Sequence, residues 1–463
     1  MRPLACAMVA SIAALAAGCA IGPRYKRPPV EAAAAYKEVD GWKPSAPADA
    51  LTRGPWWEIF NDEVLNGLEK QVNVSNQNVL AAAAAVEQAR ALVHEAQASF
   101  WPTITATAGR ERTVVATNPP HTLNSAGVGA NWDLDIWGQI RRNVESSRES
   151  AQASAAALAA AQLSAQGELA SDYFSLRSQD QLQTLLNDTV TAQEQSLKIT
   201  ESRYKFGVAA KADVVSAQTQ LLASQAQQVN AGIQRALLEH AIAVLIGQQP
   251  ANFSLAAATM RSDIPTVPVG VPSTLLERRP DIAEAERRVA AANAQIGVAI
   301  GAFFPSVTLT GSDDYSGGTI AKLFTVPNRV WAFGPQIAET LFAGGLHRAQ
   351  LAEARATYEG NVADYRQSVL AGFQQVEDQL VTLRVLEKQA VIEDQAVAAA
   401  KEAEALTLNQ YKAGTVPYSS VITAQTTTLQ SEVTALNVLL SRLNASVAMI
   451  QALGGGWDSS QLK

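Results

Sequence analysis

Apolar residues recur at coiled-coil spacing through Val369, Phe373, Val376, Leu380 and Leu383, the period of a helix packed along its length against others. The stretch containing them, Arg348 to Tyr411, has no proline, and neither does Arg142 to Tyr204. Each predicts one uninterrupted helix of about sixty residues, ~90 Å at 1.5 Å per residue. Gly207 and Gly414 follow these stretches as helix-terminating glycines do, and Asp213 to Leu245 and Tyr418 to Leu453 predict the returning arms of two long hairpins. Shorter helices are predicted over Glu63–Ser99 and from Pro280, where proline suits a first turn, to Gly301. Between short and long helices the period changes to two. In Gly127 to Trp137 the positions Val128, Ala130, Trp132, Leu134 and Ile136 are apolar, while Gly129, Asn131, Asp133 and Asp135 are not. Such alternation predicts a strand with one apolar face, in a soluble sheet or against lipid.

The order of elements is written twice. Ser202-Arg203-Tyr204-Lys205-Phe206-Gly207-Val208 recurs as Asn409-Gln410-Tyr411-Lys412-Ala413-Gly414-Thr415, a displacement of 207 that also pairs Gly247 with Gly454. Nearer the start of each half the displacement is 203, as Trp101-Pro102 meets Phe304-Pro305. The expected organisation is therefore a repeat over 61–250, a proline-rich connector over 251–272, a second repeat over 273–456 and a tail over 457–463. Each repeat offers two strands, joined through Asn118-Pro119-Pro120 and through Gly317-Gly318.

The first residues supply the compartment. Arg2, a run of small and apolar residues from Ala7 to Ala17, and Gly18-Cys19 predict a bacterial secretion signal over 1–18. Leu15 to Cys19 resembles a lipobox, displaced by one place from the usual leucine position, which makes Cys19 the candidate acylated N-terminus of a leader over 19–60. The other cysteine, Cys6, lies inside the signal, so no intramolecular disulfide is expected. Loss of Arg2 takes the net charge from −7 to −8, and this mild acidity without a basic patch argues against a nucleic-acid ligand. After Cys19 no apolar run is read as approaching the ~20 residues of a spanning helix, which leaves a β-barrel as the way across a membrane. Trp101, Trp132, Trp137, Phe303, Phe304 and Trp331 are candidates for its interfacial aromatics. Four strands cannot close a barrel, whereas twelve from three chains would leave a channel.

With the duplication and this order of motifs, the chain resembles the outer-membrane factors of tripartite efflux systems, especially their lipoprotein branch. The residues that carry the likeness are Cys19 to Pro28, Trp56-Trp57, Trp132 to Gly138, Arg278-Arg279-Pro280-Asp281-Ile282, Ala302 to Pro305 and Tyr411 to Gly414. The resemblance implies a mainly α fold with a small β part. Four transmembrane strands per chain would join a trimeric twelve-strand barrel, continued by a long periplasmic α-helical barrel. It implies a homotrimer, outer-membrane lipid, a periplasmic adaptor and an inner-membrane pump as partners, and drugs or other small solutes as cargo. A conduit for secreted protein has the same fold, and a poreless coiled-coil lipoprotein is disfavoured by the alternating strands. Tyr204, Lys205, Gly207, Tyr411, Lys412 and Gly414 become the candidate periplasmic tip and adaptor-docking site. Relatives often carry aspartates after the second turn glycine, as a gate. Here Thr415-Val416-Pro417-Tyr418 has none, so the candidate aperture is Asp213, Val416 and Pro417, with Asp213 equally readable as a solvated helix charge. No catalytic residue, metal site or cofactor is expected, since His94, His121, His240 and His347 are scattered and no phosphate-binding glycine motif occurs.

Overall fold

A computed structural model describes residues 21–30, 35–38, 55–115, 118–261, 263–265, 267 and 278–462. Cys19 and the signal lie outside the described residues. The elements in order are α1 (Glu63–Ser75), α2 (Gln77–Ala98), β1 (Thr103–Val115), β2 (Asn118–Asp133), α3 (Gln139–Lys205), α4 (Lys211–Leu245), α5 (Pro280–Gly301), β3 (Ser306–Gly317), β4 (Arg329–Ala338), α6 (Leu346–Ala413) and α7 (Tyr418–Ala452). The two long helices and their returning partners stand where proline-free periodicity and terminal glycines put them.

The expected helix over Glu63–Ser99 is two helices. Asn76 is extended (φ −65°, ψ 122°). Its Oδ1 accepts from the N–H groups of Asn78 and Val79 at 3.0 and 3.1 Å, which caps α2. Its Nδ2 donates to the Leu245 carbonyl at 2.8 Å, filling a vacancy at the end of α4. The second half does the same with another residue: the Arg279 guanidinium donates to the Ala452 carbonyl at the end of α7, 2.9 Å. The glycines that follow α4 and α7 match as well. A Cβ on Gly247 would lie 2.2 Å from the Ser75 carbonyl oxygen, and one on Gly454 2.0 Å from that of Arg278. Both have positive φ, 71° and 91°, so glycine is required twice over.

The strand read over Gly127–Trp137 ends at Asp133. Asp135 leaves the sheet to accept from the N–H groups of Ile140 and Arg141, 2.9 and 3.0 Å, and so opens α3. Gly138 turns the chain with φ 82°. Trp137 folds back, its ring stacked 4.9 Å from Phe304 and its Nε1 donating to the Pro305 carbonyl at 2.7 Å. Asn118, Pro119 and Pro120, expected in a loop, belong to β2.

Contacts divide the chain into two units. One comprises Met1–Val30, Ala84–Ala155 and Ala283–Ser368. Its four strands form one antiparallel sheet in the order β1-β2-β3-β4. The leader is docked within this unit. Arg142 donates to the carbonyls of Ile21 and Gly22, Asn293 to that of Pro23, and Arg27 to the Tyr365 hydroxyl. Gly22 (φ 112°) lies so close to Gly297 that a Cβ on it would come within 2.6 Å of the Gly297 Cα.

The other unit comprises Glu31–Ala83, Ala156–Ile282 and Val369–Lys463. Its core joins Trp56, Phe60, Leu65, Tyr173, Ile242 and Ile450, and the heptad residues Val376, Leu380 and Leu383 are buried there as their spacing predicts. Buried Asp180 fastens the connector to the helices: it accepts from Arg177, from Arg235 and from the Ala258 N–H at 2.9, 2.7 and 3.1 Å. One helix contradicts the expectation that no segment is long and apolar enough to span a membrane. Tyr418–Ala452 passes on length and composition. Its serines, threonines and glutamines dilute the run that the eye seeks, and Leu443, Val447, Met449 and Ile450 lie in this unit's core.

Candidate functional site

The candidate tip is built by the α3–α4 and α6–α7 turns. Gly207 and Gly414 have φ 74° and 83°. In the first turn the Val208 N–H donates to the Arg203 carbonyl and the Gly207 N–H to that of Tyr204, 2.8 and 2.9 Å. In the second the same pattern joins Thr415 to Gln410 and Gly414 to Tyr411, 3.0 and 2.9 Å. These are left-handed C-terminal caps, which satisfy carbonyls that the helix leaves free.

The two turns differ in side chains. Tyr204, Lys205, Phe206 and Val208 are all exposed, Phe206 at 79%. Lys211 Nζ lies 5.5 Å from the centre of the Tyr204 ring. In the second turn Lys412 and Gly414 are exposed, but Tyr411 is buried. Tyr411, Tyr418, Val421 and Ala217 form a small core on which Val416 packs. The Tyr411 and Tyr418 rings meet edge to face at 5.2 Å, and the Tyr411 hydroxyl pairs with Thr200 Oγ1 at 3.3 Å. Gln425 Nε2 donates to Ser196 Oγ at 3.2 Å below it. Burial, and then the neighbouring Tyr411, pushes the Tyr418 phenol up to about 12, so it stays neutral at any physiological pH.

Arg203 joins the turns. Its Nη1 donates to the Lys412 carbonyl at 2.8 Å and its guanidinium lies 4.8 Å from the centre of the Tyr411 ring. Sequence reasoning singled out Tyr204 and Lys205 and passed over this neighbour. The repeat held the signal, since the matching position in the second half is Gln410, which carries no charge. The three candidate aperture residues have separate local roles. Asp213 Oδ2 accepts from the Ala210 N–H at 3.4 Å, inside the first turn of α4. Val416 is half-buried on the tyrosine core, and Pro417 is exposed at the N-cap of α7.

The sheet carries the second candidate surface. Register places Ala106, Val128 and Asp313 side by side, and Asp313 opposite Trp331. The next row towards the helices joins Ile104, Ala130, Gly311 and Phe333. The opposite face presents Thr105, Gly129, Ser312 and Ala332 in one row. One face is thus apolar and aromatic, with Trp331 and Phe333 69% and 70% exposed, and the other is small and polar. Backbone groups along the outer edges of β1 and β4 have no partner strand among the described residues.

A family model described as outer membrane efflux protein matches residues 68–248 and 271–455. The chain belongs to the outer membrane efflux protein family. It is 31% identical over 454 residues to the solvent efflux pump outer membrane protein SrpC of Pseudomonas putida, covering 96% of this chain and 97% of that one. It is 29% identical over 453 residues to the probable efflux pump outer membrane protein TtgC of Pseudomonas putida KT2440, covering 95% and 93%. Among solved structures, the outer-membrane channel OprN superposes with a TM-score of 0.87 at 28% identity, covering 95% of this chain and all of that one. The mainly helical fold with a small antiparallel sheet is therefore that of outer-membrane efflux channels, with a large periplasmic portion. This family is one of ducts.

Proposed function

We propose that this efflux protein is the exit duct of a tripartite pump. It assembles as a homotrimer and passes drugs or other small solutes outward from an inner-membrane pump and a periplasmic adaptor. One observation carries the reading: a four-stranded sheet with one apolar face and two open edges. Unpaired N–H and carbonyl groups in hydrocarbon cost several kcal/mol each, so the edges must pair, and pairing β4 of one copy with β1 of the next closes a barrel of three copies. Repeats 61–250 and 273–456 would then supply six hairpins to the helical wall. The exposed Tyr204, Phe206 and Val208 supply an apolar surface for an adaptor's own helices. Energy comes from the partners, because a duct only lowers the barrier to exit. Cys19 would hold each copy in the outer membrane through its acyl chains.

The test is native mass measurement in detergent together with drug accumulation in cells lacking the gene. Three copies, and accumulation that falls when the gene is restored, are expected. A stable membrane-inserted monomer would overturn the assembly, and unchanged accumulation of every solute tried would overturn the small-solute cargo.

A further inference from the structure

The apolar face of the sheet changes chemistry at nearly the same level on its two edge strands. On β1 this face reads Ile104, Ala106 and Ala108 from the helix end outward, and then Arg110 and Arg112. On β4, taken from the same end, it reads Ile337, Pro335, Phe333 and Trp331, and then Arg329. The register puts these breaks one row apart. Ala108, Ala126, Tyr315 and Arg329 occupy one row, and Arg110 and Asn124 begin the next. Carboxylates follow the opposite rule. Glu111 alternates to the polar face between the two arginines, and Asp314, in the row of Gly127 and Thr107, is on that face too.

Asp313 is the exception, and it is accounted for. Arg329 grips it with two bonds, Nε to Oδ1 at 2.7 Å and Nη2 to Oδ2 at 2.8 Å, which removes the charge from the apolar band. The Arg110 and Arg112 side chains are exposed, and no hydrogen bond or ion pair joins either guanidinium to a described residue. Two unneutralised guanidinium groups thus stand immediately outside an apolar band that ends at the far side of the membrane from the helices. Guanidinium groups bind phosphate through paired N–H donors, and at headgroup depth each basic residue adds to the attraction for anionic lipid.

We propose that Arg110 and Arg112 of each chain form a phosphate-binding rim for the phosphorylated glycolipid of the outer leaflet, while the apolar rows beneath take its acyl chains. This rests on the reading of the sheet as part of a closed barrel. In that barrel β1 of one copy meets β4 of the next, so the rim would lie at each seam between copies.

The intact protein in detergent, titrated with bisphosphorylated lipid A and with its dephosphorylated form, tests the idea. The wild-type protein should prefer the phosphorylated lipid by about tenfold or more. Arg110→Gln with Arg112→Gln should erase the preference, and the double lysine variant should keep most of it. Glu111→Gln, on the other face of the same strand, should leave it unchanged. The inference is overturned if the double glutamine variant retains the wild-type preference, if the wild-type protein has none, or if millimolar inorganic phosphate displaces the lipid completely. Copy number is measured on the same sample: three copies without a lipid preference sink this inference alone, whereas failure to assemble sinks the barrel reading beneath it.

Discussion

Glu69 is fully buried in α1 and neither carboxylate oxygen has a hydrogen-bond partner among the described residues. Burial pushes its pKa up to about 9, so at neutral pH the folded protein holds a neutral acid. Since the folded value lies above the unfolded one, near 4.5, the folded state gains nothing by ionising and loses stability as pH rises from 4.5 towards 9. Glu69→Gln should remove that loss. The variant is expected to be more stable at pH 8, by on the order of a few kcal/mol and so with a higher melting temperature, and to match the wild-type protein near pH 4.5. Thermal melts of the solubilised protein across this range check it, and parallel curves would mean that Glu69 is hydrated. At the tip, Arg203→Gln removes a charge-assisted hydrogen bond and a cation–π contact, together about 1–2 kcal/mol. The turns should part more readily. Single-channel conductance should rise in Arg203→Gln and return towards the wild-type value in Arg203→Lys, and equal conductance in all three would show that this link between the turns does not limit the duct.

Helix and turn positions were legible in the sequence because their causes are local. A proline-free run, a terminal glycine and a heptad each act within a few residues, and α3, α4, α6 and α7 stand within three residues of where those signals put them. The misses have non-local causes. Asn76 interrupts an otherwise helical stretch because its side chain serves the end of α4, 169 residues away. Leu134 to Trp137 continue the strand's alternation, but Asp135 is claimed by α3 and Trp137 by Phe304. The repeat marks Arg203 as a charge without a counterpart, but not what it binds, because its acceptor lies in the other hairpin. The tip glycines allow an element-scale prediction. A Cβ on Gly207 meets open space, so Gly207→Val adds only backbone strain, whereas one on Gly414 also touches the Arg203 guanidinium at 3.5 Å. Each should cost on the order of 1 kcal/mol or more in its turn. Export should fall in both variants with the protein still inserted in the membrane, and further in Gly414→Val. Equal, wild-type export in cells expressing either variant would show that the turns tolerate reshaping.

For the whole molecule, the docked leader allows the proposed anchor to be tested apart from assembly. Residues 21–27 are held by hydrogen bonds with Arg142, Asn293 and Tyr365, none of which involves an acyl chain. Cys19→Ser should therefore lower the amount of protein reaching the membrane while the protein that arrives still forms three copies. Fractionation with native mass measurement checks this, and monomers in the membrane fraction would tie assembly to the lipid. The duplication has a different consequence at this scale. Asn76 and Arg279 capture equivalent carbonyls, so the frame kept its twofold internal likeness, but Arg203 faces no counterpart at Gln410, and Phe206 is answered by Ala413. A ring of three such chains would look six-sided in its backbone and be only three-sided in its chemistry. Two kinds of groove would alternate around its rim, one edged by Phe206 and one by Ala413, so that even a partner arriving in six copies would have to bind in two unequal ways.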